Sequence, residues 1–148
     1  MPRPARALAI LAVPLAAGLL GGCGFASPIQ TQQTYAASDG VRVQLSDDVR
    51  IENLLLLTAA EGEPGRLLGA VVNGSGDYAT VSIDVGGEVT EVRVAAGQTA
   101  NLADEEPLAA VGAAPGATIE VSIEFAGTTV RAIPVLDGTI PPYDEYLP

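Results

Sequence analysis

A single thiol, Cys23, is the side chain in this sequence best placed to do chemistry. It follows two arginines, Arg3 and Arg6, then an apolar run from Ala7 to Gly22 that ends in Leu20, Gly21 and Gly22. A charged start, a short apolar stretch and small residues at a cut are what export and cleavage require. The thiol just after the cut is the atom that receives lipid, so the arrangement reads as a lipoprotein signal with Cys23 as the first residue of the mature chain. An uncleaved anchor helix fits less well. The run is broken by Pro14 and falls short of the roughly 20 residues that span a bilayer. Each buried acyl methylene is worth about 0.8 kcal/mol, so one chain holds a protein marginally and two hold it stably. The expectation is a domain attached through lipid to the outer face of the cell membrane.

Beyond that thiol the repertoire is narrow. The chain has no His and no Trp, all seven of its basic residues are Arg, and its one Met is Met1. The mature part thus lacks the usual ligands for copper, zinc or haem. It also lacks the usual general base for a serine or cysteine nucleophile. No catalytic residue, no metal-ligand set and no cofactor other than the lipid is assigned.

Carboxylates remain, at Asp47-Asp48, Asp104-Glu105-Glu106 and Asp144-Glu145. Glycosidic chemistry needs two carboxyls held across one cleft, whereas adjacent acids in turns are ordinarily solvated charge. The run Asn73-Gly74-Ser75-Gly76-Asp77 carries oxygens that suit a hard cation such as calcium. It matches the glycine-rich turn of a hairpin better than a full calcium loop. Asn73-Gly74-Ser75 also reads as an N-glycosylation triplet.

The charge balance excludes a class of partner. Formal net charge is −11, and because residues 1–22 hold two Arg and no acid, the remainder carries five basic against eighteen acidic side chains, or −13. Such a surface repels nucleic acid phosphates and anionic headgroups. Nucleic acid is therefore not a partner, and membrane attachment falls to the lipid. Acidity of this kind also keeps an exported domain soluble.

The C-terminal stretch Ile140-Pro141-Pro142-Tyr143-Asp144-Glu145-Tyr146-Leu147-Pro148 concentrates aromatic, proline and acidic residues. Proline-rich extended segments lose little entropy on docking. Tyr143, Tyr146 and Leu147 could anchor on a partner while Asp144 and Glu145 meet a basic rim. The other readings are that this tail packs back over its own domain or stays unstructured.

The elements that must carry these residues follow from periodicity. Residues 24–38 are polar and without sustained pattern, a tether that at about 3.3 Å per residue reaches at most about 50 Å. After Gly40 the chain turns to short Val- and Ile-rich runs parted by glycine turns, the pattern of an all-β domain. Runs are expected at 41–45, 49–58, 67–73, 78–85, 88–94, 118–125 and 128–135. The second ends in four consecutive leucines, Leu54 to Leu57, so that end is expected to be covered on both faces.

Gly86-Gly87 reads as a two-residue hairpin turn, and Ala126-Gly127 as the turn of a second hairpin. Pro134 has no amide hydrogen, which predicts an edge or bulge where the strand stops donating. The stretch from Asn101 to Ala114 is left open between helical turn and short strand. The whole predicts an immunoglobulin-like or cupredoxin-like antiparallel β-sandwich of about seven or eight strands. The organisation is a signal at 1–22, a lipidated tether at 23–38, the sandwich at 39–138 and the tail at 139–148.

Leu-Gly-Gly-Cys, Thr34-Tyr35-Ala36-Ala37-Ser38-Asp39-Gly40-Val41, Val49-Arg50-Ile51-Glu52-Asn53-Leu54-Leu55 and Ile133-Pro134-Val135-Leu136 before the Pro-Pro-Tyr tail occur in that order. In this the chain resembles the LpqE-like lipoproteins of mycobacteria and related actinobacteria, over nearly its whole length. The resemblance implies an extracytoplasmic, lipid-anchored domain with no established enzymatic activity, whose mycobacterial relatives are associated with the cytochrome bcc-aa3 respiratory supercomplex. Gly69-Ala70-Val71-Val72-Asn73 and Val121-Ser122-Ile123-Glu124-Phe125-Ala126-Gly127-Thr128 are similar, more distantly, to PCuAC-type periplasmic copper chaperones. Those proteins bind copper through Met and His, neither of which occurs after Met1, so that resemblance implies the fold without the metal site. The expectation is a non-enzymatic accessory protein that binds an envelope or respiratory membrane protein. The alternative is an envelope lipoprotein holding a lipid, glycan or hard cation in a pocket at the end of the sandwich.

Overall fold

The structure is a computed structural model, and it describes residues 38–148. Cys23, the cleavage residues Leu20, Gly21 and Gly22, and nearly all of the tether lie outside the described residues. Eight strands follow in order: β1 (Val41–Gln44), β2 (Val49–Thr58), β3 (Gly65–Asn73), β4 (Ala79–Val85), β5 (Glu88–Val94), β6 (Thr99–Asn101), β7 (Thr118–Glu124) and β8 (Thr128–Asp137). Helix among the described residues amounts to two 3-10 turns, Leu102–Asp104 and Tyr143–Glu145. The expected all-β sandwich is what forms, with seven of its strands close to their anticipated positions.

One layer runs β5-β4-β7-β8, the other β2-β3-β6 with β1 beside β2. The β4–β5 hairpin shows how local chemistry sets this. Gly86 and Gly87 take φ of 63° and 100°, the mirror-image turn that only glycine adopts without strain and that matches strand twist. Register then places Val81 opposite Val92 and Ala79 opposite Val94, all four buried. From the facing layer Ile51, Leu54, Leu56 and Val71 close the main core.

Strand β2 changes its inward parity halfway along. Val49 and Ile51 face the main core, then Leu54 and Leu56 do, while Leu55 and Leu57 enter a second, smaller core on the other side. The switch is a bulge between Glu52 and Leu55. Asn53 sits there at φ 54°, a left-handed conformation that Asn tolerates better than most residues. Its Oδ1 accepts the Gly40 N–H at 2.7 Å. Across the bulge Gly69, at φ 135°, lies so close that a Cβ would stand 2.8 Å from the Glu52 carbonyl oxygen. The four leucines are therefore buried on both faces of the sheet, as their run predicts.

The structure departs from an all-antiparallel sandwich at β8. Its first part pairs antiparallel with β7 from Thr128 to Pro134, and its last residues, Val135 to Asp137, pair parallel with Leu56 to Thr58 of β2. Pro134 stands where the partner changes. Donation does not stop there, since the Val135 N–H bonds the Ala117 carbonyl at 2.9 Å. The missing amide thus marks a transfer between layers rather than an end.

Strand β6 is the one strand without a counterpart in the pattern. Between it and β7 the chain is mostly irregular. It is held by a bridge from Leu108 to Gly65 and by burial of Leu108 and Val111.

Candidate functional site

The tail returns to its own domain. Beyond β8, Asp137 accepts the N–H and hydroxyl of Thr139 at 2.8 and 2.6 Å, which reverses the chain and holds that carboxyl below its usual pKa. Leu147 then lies over Gly138, where a Cβ would meet its Cδ2 at 2.5 Å. Tyr143 and Leu147, with Ala103 and Leu136, pack on Leu55, Leu57 and Leu68 to make the second core. The outer face of β2 is thereby covered by residues from the other end of the sequence.

Two polar anchors hold the tail. The Tyr143 hydroxyl donates to Asp39 Oδ2, and this bond, with some burial, raises the phenol from 10.0 to about 12. A folded pKa above the unfolded one means that the contact stabilises fully below the unfolded value of 10.0 and is lost as pH rises through about 12. Absorbance titration should therefore show a tyrosinate transition near pH 12 that disappears in Tyr143→Phe.

The second anchor is Arg66. Its Nε donates to the Tyr146 carbonyl at 2.8 Å, and its Nη1 to the carbonyls of Ala103 and Glu105 at 2.7 and 2.9 Å. One guanidinium thus ties the tail to the loop after β6. No sequence signal marks Arg66, a lone base at the start of a strand.

Beside this clamp a shallow groove of about 430 Å3 runs over Asn53, Leu68, Gly69, Ala70, Asn101 and Ala103, with Tyr146 and Glu52 at its rim. Glu52 is ion-paired to Arg42 at 2.6 Å and Arg50 at 2.7 Å. The Arg42 contact is the main cause that holds its carboxyl below the usual range.

Of the five tail residues expected to meet a partner, Tyr143 and Leu147 are half-buried against the domain, and Asp144, Glu145 and Tyr146 are exposed. Tyr146, at 40% exposure, lines the groove, and Ile140 is a second exposed apolar residue of the tail. Tyr146 and the two acids are consecutive and exposed, at and just after the 3-10 turn Tyr143–Glu145. Among the described residues no group of three or more His, Cys, Asp or Glu is placed to hold a metal.

Asn73 is a structural clamp. It is 1% exposed. Its Nδ2 donates to the carbonyls of Asp77 (2.8 Å), Val94 and Ala95 (both 3.1 Å). Its Oδ1 accepts the Ser75 N–H at 3.0 Å and the Ser75 hydroxyl at 2.6 Å. The amide therefore closes the Gly-rich turn and links the end of β3 to the end of β5 in the opposite layer. Every polar atom of the side chain is committed, so neither a glycan nor a cation finds it free.

No family model matches the chain, and no curated protein matches it. Among solved structures it is similar to the "Copper-bound PCuAC domain from PmoF2", with a TM-score of 0.51 and 16% identity, over 66% of this chain and 98% of that one. This is a likeness of fold, and it supports the PCuAC resemblance at that level. The LpqE-like resemblance rests on its sequence motifs alone. With no His and no Met after Met1, the described domain offers none of the soft or imidazole donors that copper prefers. The donor set does not fit that metal.

Proposed function

We propose that the chain is an extracytoplasmic, lipid-anchored, non-enzymatic docking protein for an envelope membrane complex, a respiratory complex of the cytochrome bcc-aa3 type being the one the LpqE-like motifs favour. The lipid would sit on Cys23. The observation that carries the reading is a PCuAC-like fold in which copper donors are missing while an exposed aromatic and two acids stand on an anchored tail. Anchoring matters energetically, because a tail already ordered by Arg66, Asp39 and the second core gives up little entropy on binding. Electrostatics would add orientation and rate more than affinity.

The test is co-purification of the tagged full chain from host membranes in mild detergent. Deleting the tail would be a poor control, since it strips the cover from Leu55, Leu57 and Leu68. The exposed positions are better: Tyr146→Ala combined with Asp144→Lys and Glu145→Lys. The intact protein should bring down one stoichiometric membrane complex, and the triple variant should lose it while keeping its melting temperature within about 2 °C, as expected for surface changes of about 0.5 kcal/mol or less. Equal recovery by both forms would remove the tail from the contact. A protein that comes out alone in both would favour the second reading, a lipid or glycan in the groove beside Tyr146, for which its volume of about 430 Å3 falls within the usual range of ligand pockets.

A further inference from the structure

The free side of β5 is an unsatisfied strand edge with a slot beside it. In a two-residue hairpin the residues flanking the turn exchange both hydrogen bonds. Here they are Val85 and Glu88, and the register continues through Ile83 with Thr90 and Val81 with Val92. Alternate residues Val89 and Glu91 therefore point their N–H and C=O groups away from β4. Among the described residues no other strand pairs with β5, and no backbone group of Val89 or Glu91 finds a partner elsewhere.

Along that edge lies a slot of about 390 Å3, with Glu88, Val89, Thr90 and Glu91 on one side and Glu105, Glu106, Pro107 and Leu108 on the other. The loop wall is fixed, because Glu88 accepts the N–H groups of Ala109 and Ala110 at 2.8 and 3.2 Å and Leu108 bridges to Gly65. Edges in natural sheets are ordinarily covered or blunted. This one is bordered by carboxylates, and Val89 beside it is 62% exposed.

The geometry points to a docking site for an extended, basic segment of a partner protein, added to the sheet as a further strand on β5. Main-chain bonds to Val89 and Glu91 would supply the pairing, as in β-strand addition generally. Glu91, Glu105 and Glu106 would take Lys or Arg side chains of the incoming strand, while Glu88 stays with the loop. An acidic or neutral strand would gain the same main-chain bonds and lose the steering. The inference rests on the reading that this domain docks a protein, but it uses a different face from the tail.

The test is an NMR titration of the 15N-labelled full chain in detergent micelles. The probes are two synthetic ten-residue peptides, one alternating Lys and Val and one alternating Glu and Val. The Lys–Val peptide should shift the Val89 and Glu91 amides and slow their hydrogen exchange. Glu91→Pro removes one outward N–H without touching the ladder to β4 and should abolish this protection. Glu105→Lys with Glu106→Lys, in the loop, should weaken binding about tenfold.

Silence at both amides with millimolar Lys–Val peptide, equal response to Glu–Val, or an unchanged response in Glu91→Pro would overturn the site. Shifts spread over the acidic surface without protection of these amides would do the same, as charge attraction alone. A silent slot alongside successful co-purification of a complex would defeat this inference and leave the docking reading standing.

Discussion

Replacing Asn73 by Ala should lower stability by about 3 kcal/mol, because it deletes hydrogen bonds worth about 1 kcal/mol each and strands the buried Val94 carbonyl at about 1–3 kcal/mol. The three acceptors lie in two different places, the turn at Asp77 and the opposite layer at Val94 and Ala95. No single water can replace an amide that spans both. For a domain of this size 3 kcal/mol corresponds to a fall in melting temperature of about 10–15 °C, readable by circular dichroism. Asn73→Asp should be worse despite its equal size, since it removes the donors and aims a carboxylate at carbonyl oxygens. Ser75→Ala, which loses the hydroxyl's bonds to Asn73 Oδ1 and the Asp77 backbone but keeps the Asn73 donors in place, should cost less, about 1 kcal/mol. If Asn73→Ala melted within about 3 °C of the native protein, a shift of less than about 1 kcal/mol, the two layers would not depend on this clamp.

Gly69→Ala should be comparably damaging, for a backbone reason. The glycine lies at φ 135°, and an added methyl would meet carbonyl oxygens of Glu52 at 2.8 Å and Asn53 at 3.0 Å. A sparsely allowed conformation costs about 1–3 kcal/mol by itself, and the clash is with backbone that cannot turn aside. Gly97 provides the comparison. It too has positive φ, at 68°, but nothing lies within 4 Å of the place a methyl would take, so Gly97→Ala should cost only about 1–2 kcal/mol. A chemical denaturation series should therefore order the two with Gly69→Ala clearly the less stable. Equal midpoints would mean that the bulge at Asn53 relaxes freely.

Much of this architecture is legible from residue order. Alternation in Val81, Ile83 and Val85, followed by Gly86-Gly87, specifies a hairpin because side chains on a strand repeat every second residue and the turn needs positive φ. The leucine run likewise announces burial on two sides. What covers the second side is not legible. Tyr143 and Leu147 carry no mark that separates docking on a partner from folding home, since both need the same aromatic and apolar surface. The structure shows them folded home and leaves Tyr146 outside.

Strand β6 escaped for a different reason. Thr99, Ala100 and Asn101 have no alternation of their own and are a strand because β3 offers an edge. The parallel ladder of β8 on β2 is wholly tertiary. Pro134 signals that something changes, but a missing donor cannot say which strand comes next.

The position of β8 in both layers has a consequence for how the chain acquires its structure. Residues Val135 to Asp137 seal β2 by pairing with Leu56 to Thr58 across most of the described sequence. Pairings between such distant segments are slow to form because their loop entropy is lost before contact is gained. The parallel pairing that joins β8 to β2 cannot form until residues 135–137 are available. Until that pairing forms, the β2 edge beside Leu56 to Thr58 is open, so a chain that stalls before residue 135 exposes an unpaired strand to its neighbours.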